Sequence, residues 1–136
     1  TTSVILVTQT SAAVLAFLYV KLALKVISQR RKHGVSVGDG GHEELLRAIR
    51  AQANLAEYAP IALILLACLE MNGSPIWLTS LLALAFIVGR LLHPLGMKGA
   101  DHPMQPRVRG MQLTLFSLLA LGVTNLVIIG MSLFAY

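Results

Sequence analysis

The sequence predicts an all-α integral membrane protein, a bundle of four transmembrane helices, on three observations. Of its 136 residues 56% are hydrophobic and only 12% charged, with a mean hydropathy of +0.74, whereas about a quarter of a soluble domain is charged. Charge-free apolar blocks cover residues 1–20, 71–89 and 110–136, and 58–69 adds a shorter one. All 11 Lys and Arg residues lie in or beside two of the three connections between these blocks. One domain spanning 1–136 follows, with helices at about 3–27, 45–70, 75–93 and 108–134.

The first block lacks a basic amino-terminal region and a small-residue cleavage pattern before Lys21. It is therefore read as a retained helix and not a signal peptide. The connection after it, His33-Gly-Val-Ser-Val-Gly-Asp-Gly-Gly41, is rich in glycine, which suits tight turns. A phosphate cradle would need a preceding strand and a following lysine and hydroxyl, which this loop lacks. Asp39 or His42 is expected to cap the second helix, with Glu43 and Glu44 in its positive first turn.

The second helix is the most informative. Only 12 residues separate Glu57 from Glu70, about 18 Å of helix against roughly 30 Å of bilayer hydrocarbon. The helix must begin upstream, which draws Arg47, Arg50, Asn54 and Glu57 to the membrane boundary, where ionisable groups are expensive and read as functional. Their spacing of 3, 4 and 3 places them on one face, with Tyr58 flanking the stripe. Two guanidinium forks, an amide and a carboxylate suit a small zwitterion carrying more negative than positive charge. The plainer alternative is that Arg50 and Glu57 neutralise each other and Arg47 snorkels to the interface.

The short second connection, Glu70-Met-Asn-Gly-Ser-Pro75, carries no basic residue. In the third, Pro94 is expected to end or kink the third helix, and Pro106 suits the first turn of the fourth. That places Arg107 and Arg109 at the start of the fourth helix. By the positive-inside rule both basic connections face the cytoplasm and both termini face the other side. The net charge of +5 thus needs no nucleic acid, and the basic loops lack interleaved aromatics that could stack bases.

Cys68 stands in apolar surroundings, where a thiol is usually an inert small hydrophobe. None of His33, His42, His93 and His102 forms the i, i+4 helical pair of a zinc site, and no carboxylate cluster accompanies them. No metal is expected, and the four read as solvated loop residues.

The stretch Arg50–Pro60, RAQANLAEYAP, followed by an apolar run, resembles the second-helix signature of the MAPEG family, membrane-associated proteins in eicosanoid and glutathione metabolism. The likeness covers the whole chain: VISQRR at 26–31 closing helix one, Gly89-Arg90 closing helix three and an arginine entering helix four. Gly38-Asp39-Gly40-Gly41 and Met71-Asn72-Gly73 resemble the loops of small bacterial members, which points to a bacterial inner membrane.

The resemblance implies a homotrimer binding glutathione between adjacent subunits near the cytoplasmic face. Carried onto this chain, Arg50, Asn54, Glu57 and Tyr58 match glutathione-binding positions. Gln52 matches one in the leukotriene-synthase branch, Arg30 a basic residue beside the site, and Arg90 the arginine ending helix three. The thiol-activating arginine falls on Arg107, with Arg109 as second choice. Where the eicosanoid branch has a tyrosine, this chain has His93, which could still bond a carboxylate.

The expected function is a membrane-bound glutathione transferase. It would add the thiolate to a lipophilic electrophile arriving through membrane lipid, or reduce a lipid hydroperoxide. The alternative is a non-catalytic lipid-binding or scaffold protein on the same fold. A small multidrug exporter would need a carboxylate in the first helix, and residues 1–20 have none.

Overall fold

The computed structural model describes residues 5–99, 101 and 103–135. Four helices run up and down: α1 Leu6–His33, α2 Glu43–Met71, α3 Ile76–Leu92 and α4 Gln105–Phe134, with a 3-10 turn at His93–Met97 after α3. With the 3-10 turn counted onto α3, all four are long and apolar enough to cross a membrane. The chain is an integral membrane protein.

The helix positions agree with the apolar blocks, but the ends do not. α1 runs six residues beyond the expected 27, because Gln29, Arg30, Arg31 and Lys32 are good helix formers and the basic last turn favours the negative helix end. It stops at Gly34, left-handed at φ 66°, a conformation that glycine alone adopts freely. Positions 3 and 4 of the expected first helix lie outside the described residues.

Neither expected cap of α2 is used as foreseen. His42 occupies the cap position without a side-chain bond to the helix. Asp39 instead closes its own loop, accepting from the Gly41 N–H at 2.8 Å through the side chain and from the His42 N–H at 3.0 Å through its carbonyl. Pro94 does end the α-helical part of α3, opening the 3-10 turn, and Pro106 lies in the first turn of α4.

α1 packs chiefly on α2 and α3 on α4, with α2 also meeting α4. Leu15 and Leu22 of α1, Leu55, Leu66 and Leu69 of α2, Phe86 of α3 and Leu121 of α4 form the buried core. The outer surface keeps Phe17, Trp77, Phe116 and Leu126 exposed, as a bilayer-facing surface requires. Cys68 also lies on this outer surface. Asn125 Nδ2 of α4 donates to the Leu65 carbonyl of α2 at 3.3 Å.

The end of the bundle opposite the basic loops holds an unforeseen cap. Ile5, before α1, offers no side-chain acceptor. Glu70, at the end of α2, supplies it: its carboxylate accepts from the backbone N–H groups of Val7 at 3.0 Å and Thr8 at 2.5 Å, and from the Thr8 hydroxyl at 2.7 Å. An anion thus sits on the positive start of α1.

Candidate functional site

The connections α1–α2 and α3–α4 put the start of α2, the end of α3, the 3-10 turn and the start of α4 at one end of the bundle. There the Arg47–Glu57 stripe divides into three. Arg47 turns back to Glu43, one helical turn earlier, at 3.4 Å. Arg50 Nη2 meets Glu57 Oε1 at 3.3 Å, with both side chains about half exposed, 49% and 50%. Asn54 points to α3.

Its partner is Arg90, which is only 2% exposed. Arg90 Nη1 donates to Asn54 Oδ1 at 2.5 Å and to the Asn54 carbonyl at 3.2 Å, and Nη2 donates to the Met111 sulfur at 3.4 Å. Its guanidinium carbon stands 5.6 Å from the Tyr58 ring centroid, a cation–π distance. Nε of Arg90 is buried without a partner. Asn54 and Tyr58, both matched to glutathione-binding positions, thus meet at Arg90.

His93 is 4% exposed, which overturns its reading as a solvated loop histidine. It sits where α3 gives way to the 3-10 turn, three positions after Arg90. Arg107 has its root against Gly96 of the 3-10 turn. Arg109 points elsewhere around α4. It lines two adjoining surface grooves, one with Met104, Gln105, Val108 and Gln112, the other with Leu92, Gln112, Leu113 and Phe116. Two positions apart on a helix is about 200° of rotation, so the separation follows from geometry.

Arg30 is not drawn to this cluster. Its guanidinium donates to the Gly38 carbonyl at 2.8 Å and more weakly to that of Val35, tying down the glycine-rich loop. Gln52 is half-buried on α2. The rings of His33 and His42 stack with centroids 4.0 Å apart, so neither is a freely solvated side chain. His102 lies outside the described residues. Among the described residues, no three His, Cys, Asp or Glu side chains gather as a metal site would require.

Residues 8–127 match the MAPEG family. The chain belongs to that family. It is also 36% identical over 115 residues, 85% of this chain and 86% of the relative, to the inner membrane protein YecN of Escherichia coli strain K12. The protein of the same name in strain CFT073 of serotype O6:H1 matches to the same extent. The MAPEG match runs through all four helices and includes every site position from Arg30 to Arg109.

Sequence reasoning missed the glycines that let α3 approach α4. A Cβ added at Gly89 would come within 2.9 Å of the Gly110 carbonyl oxygen, and one at Gly110 within 2.7 Å of both the Gly89 carbonyl oxygen and the His93 nitrogen. In sequence the pair Gly89-Arg90 draws attention to its arginine. The glycine is what allows that arginine to be buried against α4.

Proposed function

We propose that this MAPEG protein is a membrane-bound glutathione transferase, conjugating the glutathione thiolate to lipophilic electrophiles, with lipid hydroperoxides as a second substrate class. One arrangement carries the reading: buried Arg90, held by Asn54 and Tyr58, and Arg107, seated against the 3-10 turn, lie at the same end of the bundle as the half-exposed Arg50–Glu57 pair. Glutathione brings two carboxylates, one ammonium and a thiol. Arg50 and Glu57 would exchange each other for a carboxylate and the ammonium, while Arg90 holds Asn54 and Tyr58 in place behind them. His93, Gln52 and Arg30 are assigned to the surrounding wall.

Arg107 is assigned to the sulfur and Arg109 is the second choice. A thiol of pKa about 8.5 is mostly protonated at neutral pH, and an adjacent cation in a low-dielectric site favours the thiolate. Two pKa units correspond to about 2.7 kcal/mol of differential stabilisation. A guanidinium stays protonated throughout and acts by its charge. The sulfur then attacks the electrophilic carbon and the leaving group departs.

The proposed assembly is a homotrimer with sites between subunits. It is supported by the half exposure of Arg50 and Glu57, which leaves one wall of the site for a second chain. The proposed location is the bacterial inner membrane with the site and basic loops on the cytoplasmic side. The basic residues at that end and the inner-membrane relatives from Escherichia coli support it.

The closed Arg50–Glu57 pair favours one rival, a non-catalytic lipid-binding or scaffold protein. An ultraviolet difference spectrum of the purified protein with glutathione separates the two. A thiolate band at neutral pH is the expected result, and no glutathione binding at all would sink the transferase reading.

A further inference from the structure

The 3-10 turn after α3 carries a third glycine at the seam with α4. A Cβ added at Gly96 would overlap the backbone nitrogen and Cβ of Arg107 and lie 2.8 Å from its Cα. Non-bonded carbons settle at about 3.5–4.0 Å, so no side chain fits there without moving the first turn of α4. The atoms it would strike are backbone and Cβ, which cannot swing aside as the end of a long side chain would. Gly122 and Gly130, further along α4, have nothing within 4 Å.

We infer that Gly96 is a positioning residue for Arg107: it lets the 3-10 turn press directly on the root of that side chain and so fixes where the guanidinium stands. The role rests on the transferase reading, in which Arg107 stabilises the thiolate. Arg107 is exposed, and its root is the part that packing can hold. The turn is itself preset, since Pro94 stands in its first residues. Alanine at position 96 would displace Arg107 by about 1 Å. At a charge separation of a few ångströms and an effective dielectric near 20, that weakens the attraction to a thiolate enough to raise its pKa by about half to one unit.

The test is a titration of the thiolate absorbance of bound glutathione against pH in Gly96→Ala, with glutathione affinity measured on the same samples. Gly122→Ala serves as the control. The expected result is a raised thiol pKa, about 1.5- to threefold less thiolate at neutral pH, and affinity within a few fold of the unsubstituted protein. In an Arg107→Ala background, Gly96→Ala should move the pKa no further. Should Gly96→Ala not assemble, Pro94→Ala carries the test, because it loosens the turn without adding an atom to the seam. It should shift the pKa in the same direction by less, and again only when Arg107 is present. An unchanged pKa in the folded variant, or an equal shift without Arg107, would overturn the role. Absence of the thiolate band from the unsubstituted protein would overturn the transferase reading and this role with it.

Discussion

Arg90 of α3 donates to both oxygens of Asn54 on α2, at 2.5 Å to the side chain and 3.2 Å to the backbone. A buried guanidinium needs such partners, because a charge left unpaired in a low-dielectric interior is far more costly than a neutral group. Asn54→Ala should therefore lower stability by about 2–3 kcal/mol, the range for a lost hydrogen bond to a charged group plus its desolvation. Thermal unfolding in detergent checks this, and an unchanged melting temperature would mean that Asn54 serves a ligand only.

Arg50 and Glu57 should behave in the opposite way. Their pair is half exposed, and such pairs contribute only about 0–1 kcal/mol to folding. Arg50→Ala and Glu57→Gln are expected to leave unfolding almost unchanged and to weaken glutathione binding about tenfold or more, since each removes a charge partner of the zwitterion. Calorimetric titration with glutathione measures it. Unchanged affinity in both would return the pair to a purely structural role.

Arg107 and Arg109 provide a contrast within one helical turn. Arg107→Ala should abolish the thiolate band at neutral pH while largely keeping glutathione bound, and turnover should fall with it. Arg109→Ala, which alters a groove on the other side of α4, should leave the band in place. Loss of the band in Arg109→Ala alone would reverse the assignment, and retention in both would remove the arginine mechanism.

Glu70 is expected to matter for stability and not for chemistry. Its carboxylate serves two backbone N–H groups and a hydroxyl at the start of α1, and losing a helix cap costs about 0.5–2 kcal/mol. Glu70→Ala should lower the unfolding midpoint by that amount without altering glutathione affinity. A fall in affinity would link the two ends of the bundle.

How far the sequence could be read depended on whether a feature is local. Apolar blocks between charged connections placed four helices, and Pro94 and Pro106 marked their ends, since hydrophobicity and proline act within a few residues. The 3, 4, 3 spacing set Arg47, Arg50, Asn54 and Glu57 along one face of α2. It could not say that Arg47 would turn to Glu43 or that Asn54 would be held by Arg90, because those choices are made by neighbours in space. His93 was misread for the same reason: a histidine before a proline looks like a loop residue until the turn carrying it is folded against α4. The Gly96–Arg107 approach leaves no trace in either segment alone, as it joins two positions on opposite sides of a connection.

The Glu70 cap also bears on the order of biogenesis. Glu70 lies 62 positions after Thr8, whose N–H it accepts. As the chain is synthesised, α1 emerges before its acceptor exists, and its first N–H groups have only water or lipid headgroups to bond. The start of α1 becomes complete when the last turn of α2 arrives beside it. The first hairpin is then tied at both ends, by the glycine loop at one and the carboxylate at the other, and α1 and α2 mature as one unit and not as two independent spans.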